Sequence, residues 1–120
     1  MAESADVKIL TFPVVLTGAT EIPLVKWPSG FGGVTIISAY MINAGTSVGG
    51  QLVTMTAAGT PAINGTIGAF AGTITNSATV PAACTISDGY VSAGEWIGFD
   101  QTSGTIPAGS FLTVAYLLGK

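Results

Sequence analysis

Two stretches near the C-terminus repeat one pattern in register, and that pattern admits strands and turns but no helix. Val91-Ser92-Ala93-Gly94-Glu95-Trp96-Ile97-Gly98-Phe99 is echoed by Ile106-Pro107-Ala108-Gly109-Ser110-Phe111-Leu112-Thr113-Val114. Both run from a β-branched residue through Ala-Gly to an aromatic and an alternating run. Gly94 and Gly109 hold equivalent places, each suited to a tight turn because glycine takes φ > 0 without a Cβ clash. The residues that follow alternate as a half-buried strand requires. Pro107 removes a backbone donor and fixes φ, which marks a loop or a strand edge. The pattern predicts an antiparallel β-domain completed by strands over residues 90–99 and 110–118.

With 120 residues the chain is one domain by size. Residues 1–8 read as an N-terminal arm, polar and with little to bury, followed by a single β-domain over 9–120. The arm lacks the basic and then apolar order of a secretory leader, so the chain is expected to be made and assembled in a cytoplasm. No run approaches the ~18 apolar residues of a membrane span. Only 8% of residues are charged, against roughly a quarter in ordinary soluble domains. Thr, Ser, Asn and Gly carry the polarity instead, as in a β-sandwich or barrel. The same scarcity of charge fits a surface that faces other subunits.

The net charge is −3, and Lys8, Lys26 and Lys120 are the only cations. Nothing is clustered to neutralise a phosphate backbone, so nucleic acid is not an expected partner. Cys84 is the single cysteine. It has no internal disulfide partner and is expected as a small buried apolar residue.

Taken in order, residues 7–16 and 21–27 read as two early strands. Pro13 and Pro23 lie within them, which suits sheet edges. Residues 27–33 form a Gly-Pro loop in which Trp27 and Phe31 either fold back onto the core or stand out as aromatic anchors for a partner. Residues 34–43 are the longest regular run. A period of two puts Val34, Ile36, Ser38, Tyr40 and Ile42 on one face and Thr35, Ile37, Ala39, Met41 and Asn43 on the other. Both faces are largely apolar, which predicts a central strand covered on both sides, one of them by a neighbouring subunit or a loop. In residues 51–56 the pattern places Val53 and Met55 inward. Ala58-Gly59-Thr60-Pro61, Asn64-Gly65 and Asp88-Gly89 read as turns, the last two of hairpin type. Short strands are expected over 66–70, 72–75 and 78–81. Seven to nine strands in all predict an all-β antiparallel two-sheet β-sandwich, jelly-roll-like.

No chemistry emerges. The chain has no histidine, which removes the commonest general base and any Ser-His-Asp or Cys-His arrangement. Among Asp88, Glu95 and Asp100, the last two stand about 16 Å apart along one strand, too far to act as a catalytic pair. A calcium site at Asp88 or Asp100 lacks a dense oxygen-ligand loop. Gly32-Gly33 and Gly49-Gly50 are not followed by Lys and a helix start, so no phosphate loop is present. Asn64-Gly65-Thr66 matches a glycosylation sequon by pattern alone. The expectation is a protein without enzymatic activity and without cofactor or metal.

The ordered set Gly33-Val34-Thr35-Ile36-Ile37-Ser38-Ala39-Tyr40, Asn43-Ala44-Gly45, then Val91-Ser92-Ala93-Gly94-Glu95-Trp96-Ile97, Ile106-Pro107-Ala108-Gly109 and a final apolar strand resembles small β-sandwich proteins of tailed bacteriophages. Capsid decoration or cement proteins are the closest in style, with related head or tail fibre modules beside them. The resemblance covers roughly residues 33–119. It implies a homotrimer on the outside of a capsid, clamping subunits of the major capsid protein, with no catalytic residues to carry over. Candidate interface residues are Glu3, Asp6 and Lys8 in the arm, with Trp27, Phe31 and Tyr40. The competing reading is a fibre or tail module that binds a host-surface glycan or protein through Trp27, Phe31 or Trp96.

Overall fold

The computed structural model describes residues 7–14, 21–28, 32–42, 49–56, 62–70, 82–103 and 110–119. Among these residues there are nine strands and no helix: β1 (Lys8–Pro13), β2 (Glu21–Lys26), β3 (Val34–Ile42), β4 (Gly49–Met55), β5 (Ile63–Phe70), β6 (Ala82–Ile86), β7 (Tyr90–Val91), β8 (Trp96–Ser103) and β9 (Phe111–Leu118). All pairings are antiparallel. The strands adjoin in the order β1-β9-β3-β6-β5-β4-β8-β2, with β7 also on β3.

Five of these pairings nest. β1 pairs with β9, β2 with β8, β3 with β6 and β7, and β4 with β5, as in one long hairpin bent back on itself. Further pairings of β9 with β3, β8 with β4 and β6 with β5 curl that hairpin into a single antiparallel sheet. The strands that carry Pro13 and Pro23 end the path on either side, where a missing N–H costs no ladder bond.

β6 joins the two halves. Its first residues pair with β3, Ala82 with Met41 and Ala83 with Tyr40. Cys84, Thr85 and Ile86 then pair with Phe70, Ala69 and Gly68 of β5. The Ser87 and Asp88 amides both donate to the Ile67 carbonyl, at 2.8 and 3.0 Å, and the chain returns to β3 where Ile36 N–H donates to Gly89 O at 2.8 Å. Asp88-Gly89 is therefore not the expected hairpin turn. It links two segments that run along the same neighbour.

One core cluster draws on both halves of the curled sheet. It takes Val34, Ile36, Ala39, Met41, Leu112 and Val114 from β3 and β9, and Ile22, Leu52, Ile67, Phe70, Ile97 and Phe99 from β2, β4, β5 and β8. On β3 this set departs from a strict period of two, because a bulge between Ile36 and Ser38 inserts one residue and exchanges the faces beyond it. Val34 and Ile36 are thus buried with Ala39 and Met41, while Ile37 and Tyr40 are exposed. β3 is central as expected, between β9 and β6, but among the described residues nothing covers Ile37 and Tyr40 on its outer face.

β4 meets its expectation in part, since Val53 and Met55 are buried as read. Leu52, opposite Phe99, belongs to the core cluster, and Val53 and Met55 do not. All three are fully buried, so burial on both faces hid the direction of the strand from its pattern. Gly98 stands opposite Val53, and a Cβ there would lie 2.6 Å from the Met55 sulfur. The missing side chain makes room for the thioether.

Asn64-Gly65 also falls inside β5 and not at a turn. The register slips between Thr54 and Met55, which pair with Gly65 and Ile63 and leave Asn64 unopposed. Beyond the paired residues Thr56 N–H donates to Ala62 O at 2.9 Å; the other turn signal, Ala58-Gly59-Thr60-Pro61, lies outside the described residues. The strands expected at 72–75 and 78–81 lie outside the described residues. Gly94 has φ 87°, so the turn read in the first repeat is present; Gly109 lies outside the described residues.

Candidate interaction surface

The outward face of β1, β9 and β3 is built from cross-strand rows. Pro13, Phe111 and Ile42 form one, Thr11, Thr113 and Tyr40 the next, then Ile9, Ala115 and Ser38. Opposed residues on neighbouring strands share a face, and the hydroxyls of Thr11 and Thr113 confirm it by meeting at 2.9 Å. Along this face Ile9 is 71% exposed, Tyr40 46%, Phe111 44% and Ile37, at the bulge, 42%. No Asp, Glu or Lys stands in these rows. Isolated exposed apolar residues are ordinary, but a contiguous uncharged set on one sheet face is a candidate interaction site.

Glu21, Lys26 and Asp100 lie on the far half of the sheet. Asp100 of β8 pairs with Glu21 of β2 on one side and with Gln51 of β4 on the other, and the Gln51 amide donates to its carboxylate at 3.1 Å. Lys26 stands opposite Trp96 at the other end of the same pair of strands. Glu95 is committed to its turn: Oε1 accepts the Ser92 N–H at 2.9 Å and Oε2 the Asn64 amide at 2.6 Å. Asp88 Oδ1 accepts the Tyr90 N–H at 3.4 Å. Among the described residues no group of three or more Cys, Asp or Glu is placed to hold a metal ion. The nearness of Glu21 to Asp100 is a relation between distant strands that spacing along the chain did not reveal.

The candidate interface residues separate. Tyr40 is on the apolar face and Lys8 is exposed at the start of β1. Glu3, Asp6 and Phe31 lie outside the described residues. Trp27 is not a surface anchor: it is buried, its indole N–H donates to Gly32 O at 3.1 Å, and its ring packs on Tyr116. Of its two readings the structure has the first, because the strand end turns the ring inward. Its backbone is tied down as well, with Trp27 N–H on Glu95 O and Gly94 N–H on Trp27 O.

The chain matches no family model, no curated protein and no solved structure.

Sequence reading missed Ile9, Ile37 and Phe111 as surface residues. For Phe111 the signal was present, since it shares parity with Thr113 and Ala115 against Leu112 and Val114. For Ile37 it was absent, because the bulge sets its direction. Cys84 is buried as expected, and burial pushes its thiol up to about 11, which leaves it neutral and unreactive at ordinary pH.

Proposed function

We propose that this chain is a structural virion protein that decorates the outside of a bacteriophage capsid as a homotrimer and clamps neighbouring subunits of the major capsid protein. The observation that carries the reading is the uncharged apolar face of β1, β9 and β3, with Ile9 71% exposed. In this reading the face seats on the shell, while the half that carries Glu21, Asp100 and Lys26 stays toward solvent. The low charge content and the resemblance of the Ala-Gly repeats to phage decoration proteins support the same assignment. The protein acts by burying area and has no enzymatic role.

The architecture is read as a two-sheet jelly roll. The strand path divides at β6 into β1-β9-β3-β6 and β5-β4-β8-β2, two groups of four related by nested pairing, which is the arrangement a doubled-over antiparallel ribbon takes when it rolls. The fibre-module reading rested on Trp27, Phe31 or Trp96. It loses Trp27 to the core.

The test compares bare and decorated particles. Decorated shells should survive heating or osmotic shock that opens bare ones, and Tyr40→Glu or Ile37→Lys should abolish attachment while leaving the β-sheet circular dichroism unchanged. Equal survival of bare and decorated shells, or full attachment of both variants, would remove the reading.

A further inference from the structure

Among the described residues the sheet ends in two edge strands, β1 and β2, and they are unequally guarded. Open edges expose unpaired N–H and C=O groups, which proteins blunt with proline, charge and bulges. β2 carries all three: Glu21 and Lys26 at its ends, Pro23 inside it and a register break between Pro23 and Val25. β1 keeps Lys8 and Pro13 only at its ends. Its pairing with β9 runs without a break from Lys8 to Pro13, and among the described residues no strand pairs with its other side. Ile9, Leu10, Thr11 and Phe12 thus form a bare stretch of β-prone edge beside exposed Val7 and Ile9.

We infer that β1 is a self-association edge, which pairs antiparallel with β1 of a second copy of this chain. Three considerations select a second copy. A two-fold pairing is isologous, so it uses both bare edges at once and leaves β2, the guarded strand, as the free edge at each end of the joined sheet; growth stops there. Centred on Leu10, the pairing sets Ile9 opposite Thr11 of the mate on the outer face, a β-branched cross-strand pair. It also places Lys8 opposite Phe12 of the mate, so the two lysines, the only charges on either strand, stand about 14 Å apart. That exceeds the Debye length of about 8–10 Å, so like-charge repulsion is screened. A parallel arrangement would set the two lysines beside each other. The outcome is one sheet in which the apolar face of each copy continues into that of the other.

This contact does not depend on the decoration reading, and a three-fold contact would be additional to it. The experiment is the native mass of the purified full chain over a wide range of concentration, for the wild type and for Ile9→Lys, with folding checked by circular dichroism. Ile9 is exposed, so the variant keeps the fold while placing a charge on the edge. The wild type should gain a species of two chains, or of twice the trimer, as concentration rises, and Ile9→Lys should lose it. Amide exchange supplies the second readout: alternate β1 amides should be protected at least tenfold more at high concentration than on dilution, and unprotected in the variant. A wild-type mass that Ile9→Lys leaves unaltered, or β1 exchange that does not depend on concentration, overturns the inference. A trimer indifferent to Ile9→Lys refutes the edge pairing and keeps the trimer. Edge pairing by a protein that binds no particle does the reverse.

Discussion

Trp27 and Tyr116 meet edge to face, with ring centroids 5.2 Å apart and planes at 75°. Trp27 follows β2 at one end of the strand path and Tyr116 lies in β9 beside the other, so this contact draws together segments that no backbone ladder joins. Such pairs add about 0.5–1.5 kcal/mol beyond area burial, and a buried Trp is itself worth more. Trp27→Ala should cost about 3–5 kcal/mol. Trp27→Phe keeps an aromatic ring and loses the bond to Gly32 O, for about 1–2 kcal/mol. Urea unfolding of the two variants checks the order.

The Glu95 turn predicts coupling between residues far apart in sequence. Glu95 holds both the Ser92 amide and the Asn64 side chain, so Glu95→Ala should lower stability by about 1–2 kcal/mol. Asn64→Ala alone should cost less. A double-mutant cycle should return about 0.5–1 kcal/mol of interaction for the pair. Strict additivity would show the 2.6 Å contact to be worth nothing.

Three glycines separate close approach from mere flexibility. A Cβ at Gly89 would meet the Ile36 carbonyl, and one at Gly68 would meet Thr85 O and lie 2.9 Å from Cys84 Sγ. Both obstacles include backbone held in a ladder, so Gly89→Ala and Gly68→Ala should each cost about 2–3 kcal/mol or more. At Gly32 a Cβ would meet nothing within 4 Å, and Gly32→Ala should stay within about 0.5 kcal/mol of the wild type. Thermal unfolding of the three ranks them.

Cys84 gives a pH dependence of known sign. Its thiol is raised from 9.0 to about 11 in the folded chain by burial. Above pH 9 the unfolded chain therefore binds fewer protons than the folded one, and stability falls as pH rises toward 11. The loss attributable to Cys84 should reach about 1–2 kcal/mol by pH 10.5. Comparison with Cys84→Ala between pH 8 and 10.5 isolates the cysteine's share, since the variant's curve should lack that portion of the decline. The native thiol should also resist alkylation at pH 8 until the chain is unfolded.

Much of the fold was legible where a residue's own geometry decides the matter. Pro13 and Pro23 placed β1 and β2 at the sheet edges because a proline cannot donate to a ladder. Ala93-Gly94 marked the turn before β8 because that backbone needs φ > 0. Legibility failed where a partner strand decides. The bulge after Ile36 is a property of the β3–β9 register, and no period read along β3 alone could find it. Val53, Met55 and Leu52 are equally apolar, and only the gap at Gly98, on another strand, separates their directions. Asn64-Gly65 has turn chemistry, yet its Asn serves a bulge and reaches Glu95. The apolar face was half visible: parity within 111–118 contained it, but nothing along the chain showed that Glu21, Lys26 and Asp100 gather on the half of the sheet away from it.

β6 is spliced into both halves at once, and this denies the domain a cleavage plane. Prising it open like a book would have to break ladders at both ends of the same short strand. A pull on either half is handed to the other through the covalent chain from Ala83 to Cys84. Forced opening should therefore show one cooperative event and no step at which a half comes away.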